Sequence, residues 1–148
     1  MRKPCAVCGK GYEDPFRGWY EVHLLRVCSG ECFRRYVYEA EFPSFHPDTD
    51  PRIFDFTDKM LRSEYEVKFN KWLHAEQIPH LHEPYKFELR DHSRYVPDFC
   101  LLGQVFFEIK GIWTSEGKKK FLAFKEQFTA PIFVLDLKAL ALITRRKR

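Results

Sequence analysis

No stretch of this chain approaches the ~20 consecutive apolar residues that a bilayer crossing requires, so no membrane partner is expected. A secretory leader is not expected either. Met1-Arg2-Lys3 is basic, but Pro4-Cys5 follows where a signal would place an apolar segment. Internal repeats and low-complexity tracts are absent, which sets aside repeat architectures. Strong charge of one sign is lacking too. A net charge of +4 permits a polyanionic partner without demanding one. These absences point to a reducing cytosol, where cysteines act as metal ligands or free thiols rather than disulfides.

What is present is apolar and aromatic. Hydrophobic residues make up 45% of the 148 and aromatic ones 17%, with 15 Phe among them, enough to fold rather than stay disordered. That length holds one ordinary domain, or a small module attached to a compact one. Four of the five cysteines fall within the first 32 residues. Cys5-Ala6-Val7-Cys8 is a tight pair, and Cys28 and Cys32 form a second after 19 intervening residues. Two such pairs suit tetrahedral Zn²⁺, with His23 or His46 in place of one thiol as the variant arrangement. The helix-like run Phe33-Arg34-Arg35-Tyr36-Val37 after the second pair makes the segment similar to a treble-clef finger. Zinc here staples a segment too small to hold its own core. A compatible second role is DNA contact through Arg17, Arg26, Arg34 and Arg35. Cys100 stands apart and reads as a small core residue.

The proline-rich stretch Phe42 to Pro51 divides the chain into a cysteine module (residues 1–45) and a main domain (residues 50–148). The main domain opens with a helical pattern from about Asp58 to Gln77. Leu61, Tyr65, Phe69, Trp72 and Leu73 recur at three- and four-residue steps, and Pro79 ends it. A three-strand meander is predicted next: Tyr85 to Leu89, then Tyr95 to Phe99 after the turn Asp91-His92-Ser93, then Val105 to Lys110 after Gly103-Gln104. A helix over about Glu116 to Phe128 and a buried-type strand, Ile132 to Leu135, complete an α/β arrangement around a mixed sheet flanked by helices.

Alternation along Val105 to Lys110 puts Val105, Phe107 and Ile109 on one face and Phe106, Glu108 and Lys110 on the other. A carboxylate and an ammonium then lie side by side, and Asp98 on the preceding strand can stand beside Glu108. Pro97 lacks a backbone donor, so regular pairing is expected to break there. Two such oxygen-bearing groups suit Mg²⁺, with Lys110 able to stabilise charge on a phosphate. Glu66 shares the stripe of Phe69 and Leu73 and so points coreward, a costly place for an uncompensated carboxylate. Glu64 instead lines up with Lys68 as a surface pair. His74, His80, His82 and His92 show no ligand spacing and receive no catalytic role.

Ser63-Glu64-Tyr65-Glu66, Tyr95-Val96-Pro97-Asp98-Phe99 and Phe107-Glu108-Ile109-Lys110-Gly111-Ile112-Trp113 resemble the motifs of PD-(D/E)XK nucleases, in particular phage Holliday-junction resolvases of the endonuclease I type. The resemblance runs from roughly Ser63 to Leu137, about half the chain. It implies a restriction-endonuclease-like fold and metal-dependent DNA cleavage; resolvases, selective for branched DNA, share this core with transposon-end nucleases, restriction enzymes and repair nucleases, so the substrate stays open here. It also implies Glu66, Asp98, Glu108 and Lys110 as catalytic residues, Mg²⁺ or Mn²⁺ on Asp98 and Glu108, and a phage or mobile-element setting in a bacterial or phage-infected host cytosol. Those enzymes are homodimers intertwined through a short N-terminal segment, whose place the cysteine module takes here. Lys118, Lys119 and Lys120, with Arg34 and Arg35, are the expected DNA-binding residues, each phosphate contact adding to salt sensitivity. Arg145-Arg146-Lys147-Arg148 reads as an electrostatic arm or a solvated tail. The rival reading is a non-catalytic zinc-finger nucleic-acid adaptor on a degenerate nuclease fold.

Overall fold

The computed structural model describes residues 2–13, 18–57 and 60–145. An antiparallel hairpin, β1 (Arg2–Pro4) with β2 (Gly11–Glu13), frames the first cysteine pair. A 3₁₀ turn over Gly18–His23 follows, and helix α1 (Gly30–Glu39) opens at the second pair. The rest of the chain runs β3 (Ile53–Asp55), α2 (Glu64–Ala75), β4 (His80–His82), β5 (Tyr85–Glu88), β6 (Arg94–Tyr95), β7 (Phe99–Leu101), β8 (Val105–Ile109), α3 (Ser115–Gln127), β9 (Ile132–Leu135) and α4 (Leu137–Thr144). Among the described residues no helix is long and apolar enough to cross a membrane.

A four-stranded mixed sheet, ordered β4-β7-β8-β9, forms the centre: β8 is antiparallel to β7 and parallel to β9. Side-chain alternation divides the core across it. Val105, Phe107 and Ile109 join Phe33 of α1, Phe69 and Leu73 of α2 and Leu140 of α4 on one face. Phe106 joins Phe121 and Phe124 of α3, and Phe87 and Tyr95 of the smaller sheet β3-β5-β6, on the other. All of β8 is therefore buried. The predicted alternation and the α/β class with mixed strands are both present.

Local chemistry explains the helix ends. The Ser63 hydroxyl accepts the Glu66 amide and caps α2, while Ser29, Thr114 and Asp136 do the same for α1, α3 and α4. Gln77 adopts a left-handed φ of 56°, and the Ile78 amide reaches back to the Leu73 carbonyl, closing α2 at Ala75 ahead of Pro79. The helix thus starts well after the predicted position: Asp58 lies outside the described residues, and Leu61 precedes the helix while still packing on the core.

The predicted meander also needs correction. Tyr85–Glu88 pairs with β3 on one side and with Arg94–Tyr95 on the other, and neither pairs with β7. After Val96-Pro97 the chain changes sheets, and β7 pairs instead with β4, a strand the sequence reading missed. The two segments of the chain share one core. Cys5, Leu25, Phe33 and Val37 belong to the same cluster as Phe69, Phe107 and Ile143. At Gly30 an added Cβ would stand 2.4 Å from the Ile143 carbonyl oxygen and 2.7 Å from Trp72, so only glycine admits this approach of α1 to α2 and α4.

Candidate active site

The β7–β8 register pairs Phe99 with Phe107, and one step further it sets Asp98 opposite Glu108 on the α3 side of the sheet. Opposed residues of an antiparallel pair have Cβ atoms only about 5 Å apart, and like charges there repel. Pro97 breaks the ladder as predicted, and the Asp98 carboxylate replaces it by accepting the Ile109 amide at 2.8 Å. Lys110 Nζ lies 3.7 Å from Glu108 Oε2. Burial, the negative charge of Glu108 and that of Glu66 push the Asp98 carboxyl well above the usual range, against the pull of the Ile109 amide and Lys110. Burial likewise lifts Glu108 to about 7, although Lys110 and Tyr95 act to lower it.

Glu66 is buried on α2 between two donors. Its Oε2 accepts the Arg62 amide at 2.7 Å, and its Oε1 lies 3.3 Å from His82 Nε2. His82 also stands 3.6 Å from buried Glu83, which Arg62 pairs at 3.2 Å. Glu66, His82 and Glu83 offer ligand atoms within 4.8 Å of one another. Sequence reasoning missed this group. His82 alternates with exposed Leu81 on β4, a signal legible only once that stretch is known to be a strand.

The four predicted side chains thus act on one another electrostatically at the end of the β7–β8 pair. Glu108 Oε1 is buried and makes no well-formed hydrogen bond among the described residues; the Tyr95 hydroxyl is near enough to favour its charged form but is likewise outside hydrogen-bonding geometry. An orphaned carboxylate oxygen in a pocket of repelling acids is costly alone. It fits a hard divalent ion, with Asp98 and Glu108 as the oxygen donors.

Cys5, Cys8, Cys28 and Cys32 bring their Sγ atoms within 4.8 Å of one another. The Cys8–Cys28 and Cys28–Cys32 separations are 3.7 and 3.8 Å. Tetrahedral bonds of about 2.3 Å to zinc space sulfurs by about 3.8 Å. Burial disfavours the Cys5 thiolate, but the amides of Cys8, Val7 and Cys28 outweigh it and hold this thiol down to about 6. Neither His23 nor His46 belongs to the group, and none of the five cysteines forms a disulfide.

The basic residues are placed variously. Arg34 donates to the Glu76 carbonyl at 2.8 Å and covers the Tyr38 ring, which ties it to the end of α2. Arg26 pairs with Glu21 at 3.0 Å, and exposed Arg35 lies 3.7 Å from Glu39. Lys118, Lys119 and Lys120 lie in the first turns of α3. Lys118 sits over Trp19, Lys119 is exposed, and Lys120 pairs with Glu116. Arg17, Arg146, Lys147 and Arg148 lie outside the described residues.

Fold and site together define a class: an α/β protein with a carboxylate–lysine cluster at the end of a central strand pair. The phage endonuclease I family matches residues 55–138, more than half of this sequence, and the chain belongs to that family. "Endodeoxyribonuclease 1" of Enterobacteria phage T3 is 38% identical over 73 residues, 47% of each chain. "Endonuclease I" of Escherichia phage T7 is 39% identical over 71 residues, 45% of this chain and 47% of its own. The chain spans about half the length of these curated relatives. No solved structure gives a significant match.

Proposed function

We propose that this chain is a Mg²⁺-dependent DNA endonuclease, with Mn²⁺ as a substitute, that hydrolyses phosphodiester bonds and favours branched DNA. Its core is of the restriction-endonuclease-like PD-(D/E)XK type, here of phage or mobile-element kind and working in the cytosol. Family membership and the names of the phage relatives support cleavage of DNA. The observation that carries the reading is the buried Glu108 carboxylate, with one oxygen 3.7 Å from Lys110 Nζ, the other outside hydrogen-bonding geometry, and a charge that raises the neighbouring Asp98.

Asp98 and Glu108 hold the divalent ion. When bound, such an ion supplies positive charge to the phosphoryl group and acidifies a water molecule. Lys110, reaching solvent beside Glu108, orients the attacking water and stabilises the charge that grows on the phosphate. Glu66, held by Arg62 and His82, adds its negative charge to the pocket. The four cysteines hold structural Zn²⁺, and the cysteine module (residues 1–45) braces the nuclease domain (residues 50–148). Lys118, Lys119 and Lys120, with Arg34 and Arg35, meet the DNA backbone.

The test is a cleavage panel of linear, nicked, branched and single-stranded DNA with Mg²⁺. Asp98→Ala, Glu108→Ala and Lys110→Ala should each lower cutting by about a hundredfold or more and leave the circular dichroism spectrum unchanged. Full cutting by all three variants disposes of the reading.

A further inference from the structure

The 3₁₀ turn Gly18–His23 lies between the two cysteine pairs, yet it packs at the other end of the site. Trp19 meets Trp113 edge-on with ring centroids 4.8 Å apart, and Tyr20 tilts against the same indole at 6.1 Å. Lys110 Nζ stands 5.6 Å from the Trp113 ring and Lys118 Nζ 5.0 Å from the Trp19 ring, so two ammonium groups flank an indole pair. The Trp113 indole N–H is buried without a hydrogen-bond partner among the described residues. Ring packing rather than hydrogen bonding therefore holds it.

Two exposed side chains adjoin this cluster. Ile112, between Lys110 and Trp113, is 87% exposed, and Val22, one 3₁₀ turn beyond Trp19, is 82% exposed. A single exposed apolar residue needs no explanation. Here the pair adjoins half-buried aromatic rings and two lysines. That combination suits a ligand with apolar faces joined to phosphate: a nucleobase out of its stack.

We propose that Trp19, Trp113 and Ile112, with Lys118, form a subsite for an unpaired nucleobase next to the cleaved phosphate, the cysteine segment supplying one wall. This rests on the nuclease reading and gives it a source of selectivity. A base inside continuous duplex has both faces covered by its neighbours, whereas branches and frayed ends offer bare ones. Stacking on aromatic side chains strengthens binding by about five- to a hundredfold per base and tolerates any sequence.

The test uses the zinc-loaded full chain carrying Asp98→Ala, so that DNA is held and not cut. Its affinity is measured for a forked duplex with unpaired thymidines at the branch, and for the same fork with abasic spacers there. Spacers should weaken binding by about fivefold or more. Adding Trp19→Leu, which keeps the apolar packing, should shrink that penalty to under about twofold. Ile112→Ser, at a position too exposed to affect folding, should also reduce it. An equal penalty with and without these changes overturns the subsite, as does a parent that does not sense the spacers. The nuclease reading survives both results if the unmutated chain cuts the fork with Mg²⁺. A chain that neither binds nor cuts it overturns both.

Discussion

Glu108 keeps an ionisable carboxyl with one oxygen buried and outside hydrogen-bonding geometry with any described residue. Its pKa near 7, against an ordinary value of 4.5, means that folding favours its protonated form. The stability it contributes is complete below about pH 4.5 and lost as pH rises through about 7. The raised Asp98 carboxyl acts in the same direction. Without a divalent ion, Glu108 should therefore make the protein less stable at about pH 8 than at about pH 5.5, by about 2 kcal/mol. Mg²⁺ held by Asp98 and Glu108 would bind the ionised form, so it should raise the melting temperature more at the higher pH. Thermal unfolding with and without Mg²⁺ at both values checks this, and an equal shift at both would count against metal on Glu108.

Among the elements, α1 couples the cysteine pairs to the remainder. It starts at the second pair, capped by Ser29, and lies so close to α4 that Gly30 has no room for a methyl group. Gly30→Ala must push the Ile143 backbone or the Trp72 ring aside, and overpacking of this kind costs about 1–3 kcal/mol. Denaturant unfolding should show that loss as a lower midpoint with an unchanged slope. A neutral substitution would mean that α1 slides freely on α4. The split between β6 and β7 matters equally, because the sheet change at Val96-Pro97 leaves Asp98 free to turn its side chain to the Ile109 amide.

For the molecule as a whole, one core spans both halves of the chain. Zinc bound by the four thiols would then stabilise more than the segment that carries them. Cys8→Ser, at an exposed thiol, should lower the melting temperature of the entire protein. Far-UV dichroism and tryptophan fluorescence should report it in one transition, since Trp72 packs against that same core. Two separated transitions would show that the cysteine segment melts alone.

The sequence by itself determined what repeats locally: the two-residue alternation that buries Glu108, the stripe that turns Glu66 coreward, and the paired cysteines that gather into one group. Such patterns survive whichever partner an element finds, because strand parity and helix period are properties of the backbone. Tertiary structure alone decided the partners. Tyr85–Glu88 continues visibly toward Tyr95, but only the covering of β7 by β4 and of β5 by β3 sends the two stretches to different sheets. His82 has no local signature, and it meets Glu66 through a pairing between strands separated by some seventeen residues. Trp19 and Trp113 lie far apart in the chain and touch only because the 3₁₀ turn settles beside β9. Long-range contacts follow from which apolar faces can be covered together, and that competition is settled by the whole chain at once.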